Sequence, residues 1–340
     1  MATVTTANIP QVIKTYYETQ LLMHAVPNFV YNQWGKRSTR GNDSIPRSKG
    51  TTAEWRRYTT LAAVTTPLAE AAFGYGGTPP APVNPSVQTV TATQDQYGAY
   101  MEYTDVVDFS AVDPLLDEFS RLLGYQAGES VDLLARGVLV SGLANDIYAN
   151  GTTDNDITAT DVMTYNLMVR AWARLANANA RPLDGMNFVM IAHPFTVADM
   201  LRDPDIQTIF QADAQAGKEN PFRTARVGTI VNMTVYQTSN AYSVTNTAVP
   251  PVDVYYTLVL GEEAFGTTGF AGREPRDIVI EDAQGNNTGR NVMPVELIFN
   301  EFGSFEPFNQ IATIAWKFSW AGVVLNSQFG VWIHHAATAA

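Results

Sequence analysis

Four histidines, Asp199 and a few paired carboxylates are the side chains through which this chain could do chemistry. His193 closes the apolar run "MNFVMIAHP" and Asp199 follows within the next helical pattern, so the two sit at a strand end, where catalytic groups gather in mixed α/β units. That pair is the hydrolase candidate. No Gly-x-Ser-x-Gly elbow accompanies it, and a His-Pro step serves equally to cap the junction between the strand and the helix "FTVADMLRD". His334 and His335 are adjacent, so on a strand their side chains point to opposite faces and cannot share a metal. No HExxH or comparable ligand spacing occurs, and the absence of cysteine removes thiolate metal sites, disulfides and Cys nucleophiles. "GTTGFAG", residues 266–272, has the wrong spacing for a dinucleotide loop, and no Gly-Lys-Ser/Thr follows a Gly-rich turn. Glu262-Glu263 and Glu281-Asp282 read as solvated turns or interface rim. The residues therefore predict no catalytic site, no cofactor and no metal.

Charge narrows the partners. With 33 acidic against 21 basic residues and a net charge of -12, an extended basic surface gripping nucleic acid through counterion release is not expected. The 340 residues suffice for one large unit or two lobes, and two lobes are expected. No uninterrupted apolar run reaches the ~18–20 residues of a membrane helix. The best candidate, Ala321 to Ile333, is broken by Asn326, Ser327 and Gln328. The first residues lack the basic patch and apolar run of a signal peptide and read as mature protein.

Contact chemistry remains. In "SIPRSKGTTAEWRRYTTL", Ser44 to Leu61, alternation places Trp55, Arg57, Thr59 and Leu61 on one side and Glu54, Arg56, Tyr58 and Thr60 on the other. Neither side reads as a core face. From Val87 to Val107 a second strand is mixed in the same way, with Tyr97, Ala99, Met101 and Tyr103 opposed to Gly98, Tyr100, Glu102 and Thr104. The Gly/Pro tract "FGYGGTPPAPVNP" between them fits neither helix nor central strand, so the two read as one long hairpin. Aromatic residues mixed with arginine are interface composition. Trp55, Arg56, Arg57 and Tyr58, with Tyr97, Tyr100 and Tyr103, are accordingly expected to meet another subunit. An ordinary antiparallel sheet with one loosely covered face is the alternative.

Ahead of the hairpin, Ile9, Val12, Ile13 and Tyr16 have helical spacing, and residues 32–50 read as a linker or as an arm that orders on a partner. Behind it, Asp113-Pro114 is a helix start, and a stripe from Leu115 runs almost to Asn145, about 45 Å at 1.5 Å per residue. A second helix is expected from near Asp161 to Arg181-Pro182. Residues 186–194, 227–239 and 252–261 read as strands of a mixed sheet, and Ile314, Trp316, Phe318 and Trp320 alternate cleanly with Thr313, Ala315, Lys317 and Ser319. The tail "HHAATAA" reads as frayed.

The order of these elements resembles the major capsid proteins of tailed bacteriophages, in particular the group related to the coliphage N-four coat protein. The resemblance rests on "GTTAEWRRYTTL", "VMIAHPFTVADMLRDP", "RVGTIVNMTVYQTSNA", "LVLGEEAFG" and "EPFNQIATIAWKFSWAGVVLNSQFGVWI". It implies an α+β chain with the HK97-like (Johnson) capsid fold. In that fold residues 1–50 would be an N-terminal arm, 51–107 an extended β-hairpin loop and 108–160 a peripheral domain with a long spine helix. Residues 161–309 would be an axial domain with a mixed sheet, and 310–340 a strand returning to the peripheral domain. It further implies a shell subunit without enzymatic activity, assembling with itself into hexamers and pentamers around double-stranded DNA that it does not bind tightly. A separate scaffolding protein, a portal and cement or decoration proteins would be its partners, with assembly in the bacterial cytoplasm and residence in the virion capsid. An encapsulin-like compartment is the alternative, and the His193–Asp199 hydrolase a distant second.

Overall fold

The computed structural model describes residues 30–37, 44–45, 51–58, 61–65, 82–110, 115–183, 186–207, 229–270, 277–281, 287–291, 296–300 and 310–338. The expected helix at Ile9 to Tyr16, the Asp113-Pro114 start and the tract 66–81 lie outside the described residues.

The clean alternation near the C-terminus organises the first sheet. β16 (Ile311–Val324) buries Ile314, Trp316, Phe318 and Trp320 on one face, as β-branched and aromatic residues at period two require. It pairs antiparallel with β5 (Asp95–Thr104), β15 (Glu296–Asn300) and β12 (Phe265–Phe270); β1 (Lys36–Arg37) and β2 (Ser44–Ile45) join β12 in parallel. Against the buried face lies the helix Leu115–Gly142, 28 residues long. Its stripe of Leu123, Ala127, Val131, Ala135 and Leu139 recurs at i, i+4, and the small residues within it let helix and sheet approach closely.

The second sheet runs β6 (Asp146–Tyr148), β17 (Gly330–Ala336), β11 (Asp253–Leu260), β7 (Phe188–Ala192), β9 (Met233–Gln237) and β8 (Thr229–Ile230), with β10 (Ser243–Thr245) beside β11. It is mixed: β7–β9 and β6–β17 are parallel, while β11 is antiparallel to both neighbours. Continuous apolar runs such as "FVMIA" follow from coverage on both faces. Val189, Ile191, Leu258, Leu260 and Trp332 pack toward the long helix. Phe188, Met190, Val259, Val331 and Ile333 pack instead with the helix Tyr165–Asn177. Two two-stranded ribbons, β3 (Thr52–Tyr58) with β4 (Val87–Thr93) and β13 (Asp277–Glu281) with β14 (Asn287–Asn291), form ladders separate from both sheets.

Several expectations need correction. The strand from Val87 is not continuous: it breaks at buried Gln94, and β5 leaves the hairpin to pair with β16 over ten residues. This pairing gives β5 a core face, Tyr97, Ala99, Met101 and Tyr103, packed toward the long helix and β16. Where strand was expected up to Val107, residues Asp105–Ser110 are helix: the ladder with β16 ends at Thr104, and Asp105 Oδ1 accepts the Val106 N–H. β3 also has a buried side, Ala53 and Trp55. The stretch read as a linker from Asn32 is ordered at its start: Trp34 packs against the core of the long helix, and Lys36–Arg37 pairs with β12. Nor is the tail frayed at His334 and His335, which lie in β17 between β6 and β11. Residues 330–336 therefore join the sheet of "FVMIA" and do not stay with β16.

Candidate functional site

The β3–β4 ribbon is fixed at its root and bare at its far end. Trp55, 2% exposed, packs with Ala53 on Ala92, Val323 and Leu325, and its Nε1–H donates to the Lys36 carbonyl at 3.2 Å. Gly266 makes room for the indole, because a Cβ there would sit 2.7 Å from the ring. One step further, the Arg57 guanidinium lies 5.6 Å from the centre of the Phe329 ring, and Arg56 Nε donates to Glu54 Oε1 at 2.7 Å. The last pair of the ladder is Tyr58 opposite Val87, 67% and 47% exposed. Leu61, Val64 and Val83 beyond them are exposed as well. An aromatic and several aliphatic groups thus stand in water at the end of a two-stranded ribbon that its own chain holds at the root.

The other tyrosines divide by face. Tyr97 is half-buried and stacks on Phe318 at 5.6 Å. Tyr103, 6% exposed, meets Phe119 at 5.9 Å. Tyr100, on the opposite face, is 65% exposed. Tyr58, Tyr100 and Arg56 are therefore the expected contact residues that face outward. Trp55 and Tyr103 are already enclosed by their own chain.

The hydrolase pair is not assembled. His193 Nδ1 accepts the Phe195 N–H at 3.2 Å, so the ring caps the helix Pro194–Arg202, and burial lowers its pKa. Asp199 accepts the Thr338 N–H at 2.7 Å and faces Arg202 Nη1 at 3.4 Å. A hydroxyl–imidazole pair does exist elsewhere, Thr257 Oγ1 with His335 Nε2 at 2.8 Å, but both residues are 0% exposed and no substrate could reach them. His335 Nδ1 lies 2.7 Å from the Ala336 carbonyl, to which it donates, leaving Nε2 to accept from the threonine. Burial pushes the imidazole down to about 4.

Next to it, sequence reasoning missed a polar knot. His334 Nδ1 lies 2.6 Å from Asp154 Oδ1 and its Nε2 3.3 Å from Asp146 Oδ1, while the Tyr256 hydroxyl donates to Asp154 Oδ2 at 2.6 Å. Burial and the Asp154 carboxylate push the Tyr256 phenol up. Asp154 comes from the turn "YANGTTDND", and no local spacing betrays that it meets residues 102 and 180 positions away. Among the described residues no group of His, Asp and Glu has a metal-binding arrangement, and no helix is long and apolar enough to cross a membrane.

The chain is thus an α+β body of two sheets and one long helix, with a β3–β4 ribbon that ends in exposed Tyr58 and Val87. The model of the phage capsid protein family matches residues 87–332, and the chain belongs to that family of structural, non-enzymatic proteins. No curated protein sequence matches it. Among solved structures, the capsid of Ralstonia phage GP4 is similar with a TM-score of 0.66 at 13% identity over 92% of each chain. The capsid of cyanophage P-SCSP1u gives 0.62 at 11% identity, covering 91% of this chain and 89% of that one. The head of Helicobacter pylori bacteriophage KHP40 gives 0.61 at 10% identity, covering 86% and 87%. The fold is the HK97-like capsid fold.

Proposed function

We propose that this capsid protein assembles with copies of itself into hexamers and pentamers that close an icosahedral shell around phage double-stranded DNA. The observation that carries the reading is the exposed end of the ribbon, Tyr58 opposite Val87, on a chain of the phage capsid family. A neighbouring subunit is the cover that such a surface requires. In this reading residues 1–50 are the arm and the loop begun by β3 and β4 reaches over the neighbour, with Arg56, Arg57, Tyr58 and Tyr100 in contact. The long helix is the spine of a peripheral domain, and the β7 sheet belongs to an axial domain near the capsomer axis. A separate scaffolding protein, a portal and cement proteins complete the particle in the host cytoplasm. The net charge of -12 favours a lining that does not hold DNA tightly.

Negative-stain electron microscopy of the concentrated chain, beside size-exclusion chromatography of Y58S/V87S, tests this. Shells, tubes or capsomer rings from the wild type and their loss in the variant are expected. A small closed oligomer of unchanged size in both would overturn the reading.

A further inference from the structure

A cleft of about 850 Å³ opens beside the Tyr58 end of the β3–β4 ribbon, walled by Arg57, Arg174, Arg181, Glu262, Gln328 and Phe329. Three guanidiniums converge on it, and neutral groups hold two of them. Arg57 rests over the Phe329 ring, and Arg174 Nη1 donates to Asn145 Oδ1 at 3.0 Å and to the Asp146 carbonyl at 2.7 Å. The backbone that carries Arg181 is tied down where its carbonyl accepts the Glu262 N–H at 2.8 Å. No carboxylate among the described residues pairs with any of the three. Two other exposed arginines find acids, Arg56 with Glu54 and Arg121 with Glu118, while Arg170 donates to the Tyr148 carbonyl. Of the two carboxylates at the rim, Glu263 is engaged by Lys36, which leaves Glu262 against three positive charges.

In a chain with 33 acidic and 21 basic residues, guanidiniums that no described carboxylate pairs, gathered in one concavity, mark a place prepared for an external anion. We infer that the cleft is a socket for an acidic segment of a neighbouring copy of this chain. Guanidinium forks match carboxylates bidentately, and a concave wall strengthens the pairing by excluding water. The charge balance selects the occupant: each copy carries a net charge of -12, so acids are what a neighbour presents. Arg57 and Tyr58 belong both to the ribbon and to the cleft wall, so seating an acidic segment also braces the ribbon's exposed end. The inference rests on the shell reading, because it requires copies to adjoin.

Site-specific photo-crosslinking tests it. A benzophenone amino acid replaces exposed Gln328 in the full chain, heavy- and light-isotope copies are mixed and assembled, and cross-linked peptides are identified by mass spectrometry. Electron microscopy of the same sample reports particles. The expected result is a cross-link between copies to an Asp- or Glu-bearing peptide, reduced at least about fivefold in R57Q/R174Q/R181Q while the melting temperature of the free subunit holds. Particles without an inter-copy cross-link, a cross-link to nucleic acid, or one unchanged in the triple variant overturns the socket and leaves the shell reading standing. An arginine-dependent cross-link in a small oligomer, without particles, keeps the socket and removes the shell. Neither particles nor cross-link removes both.

Discussion

Asp132, midway along the long helix, accepts the backbone N–H of Tyr31 at 2.6 Å across 101 residues of sequence. The same oxygen accepts the Val30 N–H at 2.9 Å, and Trp320 Nε1–H donates to Asn32 Oδ1 at 3.0 Å. One carboxylate thus seats the segment leading into β1 on the helix. The seat is buried, and desolvation outweighs the amide donors, raising the Asp132 carboxyl to about 6.

Removing this acceptor strands two buried N–H groups, so D132A should cost about 2–4 kcal/mol in chemical denaturation of the free subunit. The pH dependence has a definite sign. The folded state holds the Asp132 proton between the reference value of 3.8 and about 6, where the unfolded chain has released it. The contribution is full below 3.8 and is lost as pH rises through 6. D132N keeps an acceptor without the titration, so its stability relative to wild type should be greater at pH 7 than at pH 4. An equal difference at both values would refute the assignment.

His335 runs the other way. Its folded pKa, near 4, lies below the reference 6.5, so its neutral burial stabilises fully above 6.5 and the benefit is lost as pH falls toward 4. The lost amount is about 3 kcal/mol at roughly 1.4 kcal/mol per unit. H335Q should flatten that part of the acid limb in urea titrations from pH 7 to 4. A limb as steep as the wild type's would mean that another group carries it.

Gly266 and Trp55 form a contact that a single methyl group would spoil, given the 2.7 Å from a Cβ to the indole. G266A should destabilise by about 1–3 kcal/mol through overpacking, and W55A should cancel most of that increment in the double variant. Additive losses would show that the two do not share space.

Asp154 links Tyr256 and His334. A cycle of D154A, Y256F and the double variant should give a coupling of about 1–3 kcal/mol, since removing either partner leaves the other's polar group unsatisfied in a half-buried site. Strict additivity of the melts would dismiss the bond.

Much of the scaffold was legible in one sequence. The stripe after Leu115 marks the long helix, "FVMIA" a strand covered on both faces, and Ile314 to Trp320 a core-facing strand, because in each case the apolar period matches one element and one burial state. The candidate contact surface was legible in composition but not in direction. Trp55 and Tyr58 are both aromatic residues of one strand, yet one fills the space above Gly266 and the other stands in water. Small residues such as Ala53 and Gly266, which create the pocket, carry no hydrophobic signal of their own.

By itself the sequence determined the helix and strand periods, the exclusion of cysteine chemistry and basic nucleic-acid clamps, and the resemblance to phage capsid proteins. The periods and exclusions follow from local spacing and from totals, which need no partner residue, and the resemblance rests on the order of whole motifs along the chain. Tertiary structure alone decided that β5 leaves the hairpin for β16, that His334 and His335 lie in a central strand, and that Arg57, Arg174 and Arg181 share one cleft. Such facts depend on which strands pair and on residues distant in sequence that meet in space. Alternation allows either face of a strand to be buried, and only the packing of a neighbouring element selects one.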